Sequence, residues 1–162
     1  MKITVTITGG YKTDPRDKGR PVVLIAAALG VPPEVFREAF RRVKPAPAGR
    51  KPNPAQVTQN KVVLLNALSL YGVTNNLLDK VSDYYRYNPG AGELWTHRPA
   101  KLGAILTDEK LTSIEILDGG SGYSSTPTVS ISGIKGIKAT AVISFGKNLK
   151  TNGSITEITL NL

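Results

Sequence analysis

Cysteine is absent from the 162 residues, and histidine, tryptophan and methionine each occur once. Without thiols there can be no disulfide, no thiolate nucleophile and no sulfur-ligated zinc or iron–sulfur centre. The single His97 excludes metal sites built on several histidines and gives a His-based catalytic centre only one residue to start from. Long apolar runs are missing too. The longest, Val22–Leu29, has eight residues, whereas a membrane-spanning helix needs roughly 18–20. Hydrophobic residues still make up 40% of the chain and charged residues 20%, enough for a packed core. The length suits one ordinary domain or two small ones.

Acidic residues are few relative to basic ones, 12 against 21, for a net charge of +9. The excess is uneven. Residues 1–99 carry 15 basic and 7 acidic side chains, residues 100–162 carry 6 and 5, and all eight arginines lie at or before Arg98. Such a balance attracts nucleic acid, anionic lipid or an acidic protein, and charge alone does not choose among them. The opening Met1–Thr8 alternates apolar and polar residues and is no secretion signal. It fits a cytoplasmic protein or an exported one whose leader is absent from this chain.

Periodicity predicts a strand over Lys2–Thr8, with Ile3, Val5 and Ile7 on one face. Gly9-Gly10 ends it, and Tyr11–Arg20 is a polar loop. Pro21 suits the first turn of a helix over Val22–Leu29, closed by Gly30. Pro32-Pro33 starts a second helix to about Val43, with Val35, Phe36, Ala39, Phe40 and Val43 apolar and Arg37, Arg41 and Arg42 on its other face. The proline-rich Lys44–Pro54 reads as an extended connector. Asn53-Pro54 signals a third helix to about Tyr71, with Val57, Leu64, Leu65, Leu68 and Tyr71 facing the core. Thr74 or Asn75 caps a fourth helix through Tyr87, built on Leu77, Leu78, Val81, Tyr84 and Tyr85.

After Arg98 the pattern changes to short segments rich in Ile, Val and Thr between Gly, Asn or Asp turns: 104–107, 111–117, 128–132, 139–145 and 155–160. They predict a small antiparallel β unit. Residues 111–116 are echoed at 155–160, one and a half copies and too few for a solenoid. The expected fold is therefore α+β: an N-terminal strand and a basic unit of about four helices over 1–99, then a β unit over 100–162. A last strand with no following turn either closes its sheet or leaves an edge for a neighbour.

Four groups of residues invite a chemical reading. Gly119-Gly120-Ser121-Gly122-Tyr123 lacks the second glycine of a nucleophile elbow and the Lys-Ser/Thr of a P-loop, so Gly119, Gly120, Gly122 and Tyr123 read as a structural turn with the tyrosine ring packed over it. Ala26, Gly30, Val31, Val35 and Phe36 have the spacing of a helix-turn-helix, although Pro32-Pro33, Glu34 and Glu38 stand where DNA contacts belong. Tyr84, Tyr85, Arg86, Tyr87 and Trp95 offer aromatic surface beside a cation, a composition that protein interfaces favour, with one side of the cluster in the core. Asp79, Asp83, Glu93 and His97 are the nearest approach to acid–base pieces, and no nucleophile–base spacing joins them.

Two stretches resemble known groups. Leu111–Ile131, above all 119–131, resembles the Gly-Ser-Gly-Tyr β modules of phage virion proteins and exported bacterial structural proteins, which implies an assembly element without catalytic residues. The helical part resembles uncharacterised, exported, planctomycete-like bacterial proteins in 9–17, 19–31 and 71–75, which implies a shared fold and export. Asp14, Arg16, Asp17 and Arg20 in that part form either a site or a hydrogen-bonded loop that anchors the helix start.

Taken together, these readings point to a non-enzymatic assembly protein without cofactor or metal that works through protein–protein contacts. It would be a homo-oligomer or the accessory subunit of a larger, acidic complex, organised as a filament, tubule or shell. The interface candidates are Arg37, Arg41, Arg42, Tyr84, Tyr85, Arg86, Tyr87 and Trp95. The alternative is nucleic-acid binding through the basic helical unit, with Arg37, Arg41, Arg42 and the connector.

Overall fold

Val22–Leu29 forms α1, which takes six of its eight side chains out of solvent. Gly30 closes the helix at φ 78°, and the amides of Gly30 and Val31 return to the carbonyls of Ala27 and Ala26. This closure needs a left-handed residue, which is why glycine stands there. The computed structural model describes residues 3–41, 54–134 and 136–161, and the protein is α+β, as its sequence patterns predict.

Two compact units make up the chain. The helical unit spans 14–96 and contains α1, α2 (Pro33–Phe40), α3 (Pro54–Leu68) and α4 (Asn75–Tyr84). α1 packs on α2 and α4, and α2 packs on α3. Leu24, Ala26, Phe36, Leu68, Leu78, Val81, Tyr85 and Trp95 are buried in its interior. Thr74 caps α4, its hydroxyl accepting the Leu77 amide. α4 stops at Tyr84, three residues short of the sequence expectation, and α2 gives way to a turn at Arg41. Val43 and the proline-rich connector lie outside the described residues, as does the side chain of Val57. Tyr71, expected in the core, is exposed. The α-helix gives way at Ser69 to a 3₁₀ turn (Ser69–Tyr71) that packs chiefly on α3 itself.

The β unit combines 1–13 with 97–162. This corrects the expected division at 99/100, which placed the first strand with the helices. β1 (Thr4–Thr8) pairs antiparallel with β4 (Thr128–Ser132), setting Val5 opposite Ile131 and Ile7 opposite Val129. The full sheet runs β1-β4-β5-β6, with β5 at Lys138–Ser144 and β6 at Ser154–Asn161. A hairpin of β2 (Lys101–Thr107) and β3 (Lys110–Asp118) forms the second sheet. It turns through Asp108 and Glu109, both at positive φ, as two-residue hairpin turns require.

β3 lies against β6 and β2 against β1. Tyr123, Val129, Ala141 and Ile155 form the buried centre between the sheets, with Val5, Ile7, Ile114, Ile116 and Ile158 packed around it. The two echoed segments thus fall in β3 and β6, on opposite sheets. Among the described residues no helix is long and apolar enough to cross a membrane.

Candidate interaction surfaces

The polar loop before α1 is built around its acids. Asp14 caps a single 3₁₀ turn (Pro15–Asp17): its Oδ1 accepts the Arg16 amide at 2.9 Å and the Arg16 Nε at 3.1 Å. These hydrogen bonds, and then the guanidinium charge, hold the Asp14 carboxyl well below the usual carboxylate range, and the same pair raises Arg16. Asp17 is buried and takes Arg37 in a two-pronged ion pair, Nε to Oδ1 at 2.6 Å and Nη2 to Oδ2 at 2.9 Å. Arg37 Nη1 also donates to Glu34. The hydrogen bonds to Asp17 push the Arg37 guanidinium upward.

Arg37 was expected on an exposed basic face. It is instead buried, with its donors committed to Asp17 and Glu34, so it is a tie between the loop and α2 and no free cation for a partner. Arg41 is exposed and pairs with Glu38 at 3.1 Å, and Arg42 lies outside the described residues. Beside this tie is a cavity of about 250 Å³ lined by Arg16, Lys18, Arg20, Phe40 and Arg41 over Val22 and the Asp17–Arg37 pair. The Arg20 guanidinium sits 4.4 Å above the Phe40 ring. Burial lowers the Arg20 pKa from its ordinary value, partly offset by Tyr87 and Asp17.

The aromatic cluster divides. Tyr85 and Trp95 are buried, Tyr84 meets Tyr85 edge-on at 5.0 Å, and Tyr87 meets Trp95 edge-on at 5.4 Å. The Tyr87 hydroxyl donates to the Gly19 carbonyl, securing the loop before α1. Arg86 is exposed and pairs with Asp83. The sequence reading placed Tyr84 on the core face of Val81, whereas Tyr85, one helical turn beyond Val81, takes the deeper place. As interface candidates Tyr85 and Trp95 therefore fall away, since they hold the helical core. The other acids are engaged locally: Asp79 pairs with Lys61, and Glu93 accepts the Asn88 amide. Among the described residues no three His, Cys, Asp or Glu side chains group to hold a metal ion.

In the β unit the glycine turn is a structural junction. Arg98 and Ser121 exchange both backbone hydrogen bonds at 2.9 Å, Gly122 and Tyr123 donate to Asn152 and Gly153, and the Gly119 carbonyl accepts Ile155. Gly120 sits at φ 70°, and a Cβ there would lie 2.4 Å from the Arg98 carbonyl. The Tyr123 ring stacks on Tyr11 at 5.2 Å and packs on Gly10, and its hydroxyl accepts the Ala100 amide. Burial, then the neighbouring Tyr123, pushes the Tyr11 phenol up to about 12. His97 packs edge-on against Tyr11. Arg98 clasps Asp118, and with the Gly120 amide holds that carboxyl below its ordinary range. The pair rims an open depression of about 470 Å³ that reaches Phe145 and Thr156.

Among the described residues the sheet ends on β1 and β6, so β6 leaves an edge instead of closing the sheet. Across these two strands the sole charged residue is Glu157. Beyond its ladder with β5, β6 makes one backbone hydrogen bond among the described residues, from Ile155 to Gly119, at its start.

No family model matches the chain, and neither a curated protein nor a solved structure matches it.

Proposed function

We propose that the protein is a non-enzymatic assembly protein whose β unit joins copies of itself edge to edge. The observation that carries this reading is the pair of nearly uncharged outer strands, β1 and β6. Soluble sheets normally guard such edges with lysine, proline or a bulge, because unpaired N–H and C=O groups template another strand; β6 has one such irregularity, at Thr156 near its start, and its remaining length and all of β1 have neither lysine nor proline.

The strand directions fit repetition. All three pairings in the β1-β4-β5-β6 sheet are antiparallel, so β1 and β6 run in opposite senses. A copy displaced sideways, without rotation, therefore presents its β1 antiparallel to the first copy's β6. Such head-to-tail contact does not close on itself and grows into a filament. The exposed Val142 of β5 and the nearby Phe145 add apolar area beside the β6 edge. A five-residue ladder gives about five backbone bonds of roughly 0.5–1.5 kcal/mol each, which barely offsets the cost of association. Pairwise contact is thus weak, and growth depends on concentration or on a scaffold.

Sedimentation velocity over a concentration series tests this reading. The native chain shifts to larger species as concentration rises. Thr6→Lys and Thr159→Lys, on exposed positions of the two edge strands, abolish the shift, while Ser130→Lys on the interior strand β4 leaves it intact. A native chain that stays monomeric at its solubility limit, or an equal loss in all three variants, refutes the assembly reading.

A further inference from the structure

We infer that the basic cavity of the helical unit is a binding site for a phosphate monoester or a comparable dianionic phosphoryl group. This goes beyond the sheet-edge reading, rests on other residues, and stands or falls separately.

The argument is a charge account. Three of the five cations that line the cavity are already matched: Arg16 by Asp14, Arg37 by Asp17 and Glu34, and Arg41 by Glu38. Lys18 and Arg20 line the same cavity and form no ion pair among the described residues. An exposed lysine alone would mean nothing. Arg20 is different, because it is partly withdrawn from water and in no ion pair among the described residues, with Tyr87 and Asp17 only partly offsetting the cost of burying its charge, so an incoming acceptor would lower that cost further. Its face is occupied by the Phe40 ring. Stacking of this kind fixes the guanidinium plane and leaves the N–H edge for an incoming oxygen pair.

Backbone geometry supports the second cation. Lys18 stands in the left-handed region (φ 52°, ψ 43°), followed by Gly19 at φ 85°. A lysine held there costs of order 1 kcal/mol or more, a strain that folds tolerate where a site needs it. The Tyr87 hydroxyl on the Gly19 carbonyl and the buried Asp17 on the other side keep this turn in place.

The five cations face four acids, Asp14, Asp17, Glu34 and Glu38, a net excess of one positive charge, and Lys18 and Arg20 are the two left without an ion pair among the described residues. A phosphate monoester presents three acceptor oxygens at about −1.5 to −2 charge and can answer both together, whereas a carboxylate has only two oxygens to share. The cavity of about 250 Å³ is many times what a single water occupies and accommodates a phosphoryl group and the first atoms of its bearer.

The test is titration with inorganic phosphate, pyrophosphate and acetate at low ionic strength, followed by amide and arginine Nε–H chemical shifts. Phosphate and pyrophosphate produce saturable shifts centred on 16–20 and 37–41, and acetate binds at least about tenfold more weakly. Arg20→Gln lowers phosphate affinity by about tenfold or more, the worth of one charged hydrogen bond. Lys18→Gln, on an exposed side chain that the fold does not need, lowers it by about threefold to fivefold. Lys147→Gln in the β unit changes nothing. Should Arg20→Gln fail to fold, the Lys18→Gln series still decides. Absence of saturation, shifts spread evenly over the basic surface, acetate binding as tightly as phosphate, or unchanged affinity in Lys18→Gln would each overturn the assignment.

Discussion

Replacing Arg37 by Met should be among the most damaging single changes in the helical unit, although the residue lies on a helix that reads as basic and solvated. The Arg37 side chain is 9% exposed and that of Asp17 3%. Among the described residues the Asp17 carboxylate has no other hydrogen-bond partner than Arg37. Removing the guanidinium leaves that charge in a poorly solvated place, at a cost of about 3–5 kcal/mol. Against a total stability of about 5–15 kcal/mol, this is a large share. Arg37→Gln keeps one donor and should lose roughly 1 kcal/mol less. Asp17→Leu combined with Arg37→Met removes both charges and should return to within about 1–2 kcal/mol of the native chain, because replacing a buried pair by apolar side chains is often close to neutral. The assay is urea unfolding followed by the fluorescence of Trp95, the only tryptophan, which is buried in the helical unit itself. The double-mutant cycle gives the coupling energy directly. Loss of less than about 1 kcal/mol in Arg37→Met, or a double variant as unstable as the two singles summed, would show that the pair is not the tie described and would return Arg37 to the exposed surface.

Three further outcomes are expected. Gly120→Ala should prevent the β unit from folding, since its Cβ would collide with the Arg98 carbonyl and the Ala100 amide. Gly9→Ala, at φ 69° but with nothing within 4 Å, should cost only about 1–2 kcal/mol in thermal unfolding. Tyr85→Ala should destabilise by about 3–5 kcal/mol, and Tyr84→Ala by clearly less, as read by the same fluorescence transition. Tyr11 has a folded pKa raised from 10.0 to about 12. Its stabilising contribution is therefore complete below pH 10 and is lost as the pH climbs toward 12. Two pH units equal about 2.7 kcal/mol, and screening of this half-buried ring reduces that to about 1 kcal/mol. Tyr11→Phe should flatten the alkaline loss by that amount. An identical pH profile would refute the reading that burial, with Tyr123 beside it, raises the Tyr11 phenol.

Local signals were readable where both ends of an element were marked. Pro21 and Gly30 bracket α1, and alternation together with flanking turn residues defines β4, so both match their predicted limits. The sheet to which β1 belongs was not readable, because a period of two says that a segment is a strand and nothing about its partner. Arg37 misled for the same reason. Helical spacing from Arg41 placed it on a polar face, while its true partner, Asp17, is 20 residues away in a loop. Among the aromatic residues, Tyr84 and Tyr85 both lie near the Val81 face, and the early end of α4 decides which is buried. In the cavity, Arg20 reads from the sequence as one of four polar loop residues. Its distinction lies in the ring beneath it, and Phe40 read only as core.

The discontinuous β unit has a consequence for how the chain comes off the ribosome. Residues 14–96 form one continuous unit and can fold as soon as they emerge. The first strand must wait for its partner, since Thr4 meets Ser132 across 128 residues. At about 5–20 residues per second the delay is roughly 6–25 s, long compared with the microseconds in which a local hairpin closes. Throughout that interval β1 is thus an unpaired, uncharged strand, and nascent chains on one message present these segments to each other. In this protein the interval before residue 132 appears is the period of greatest risk for premature pairing between chains.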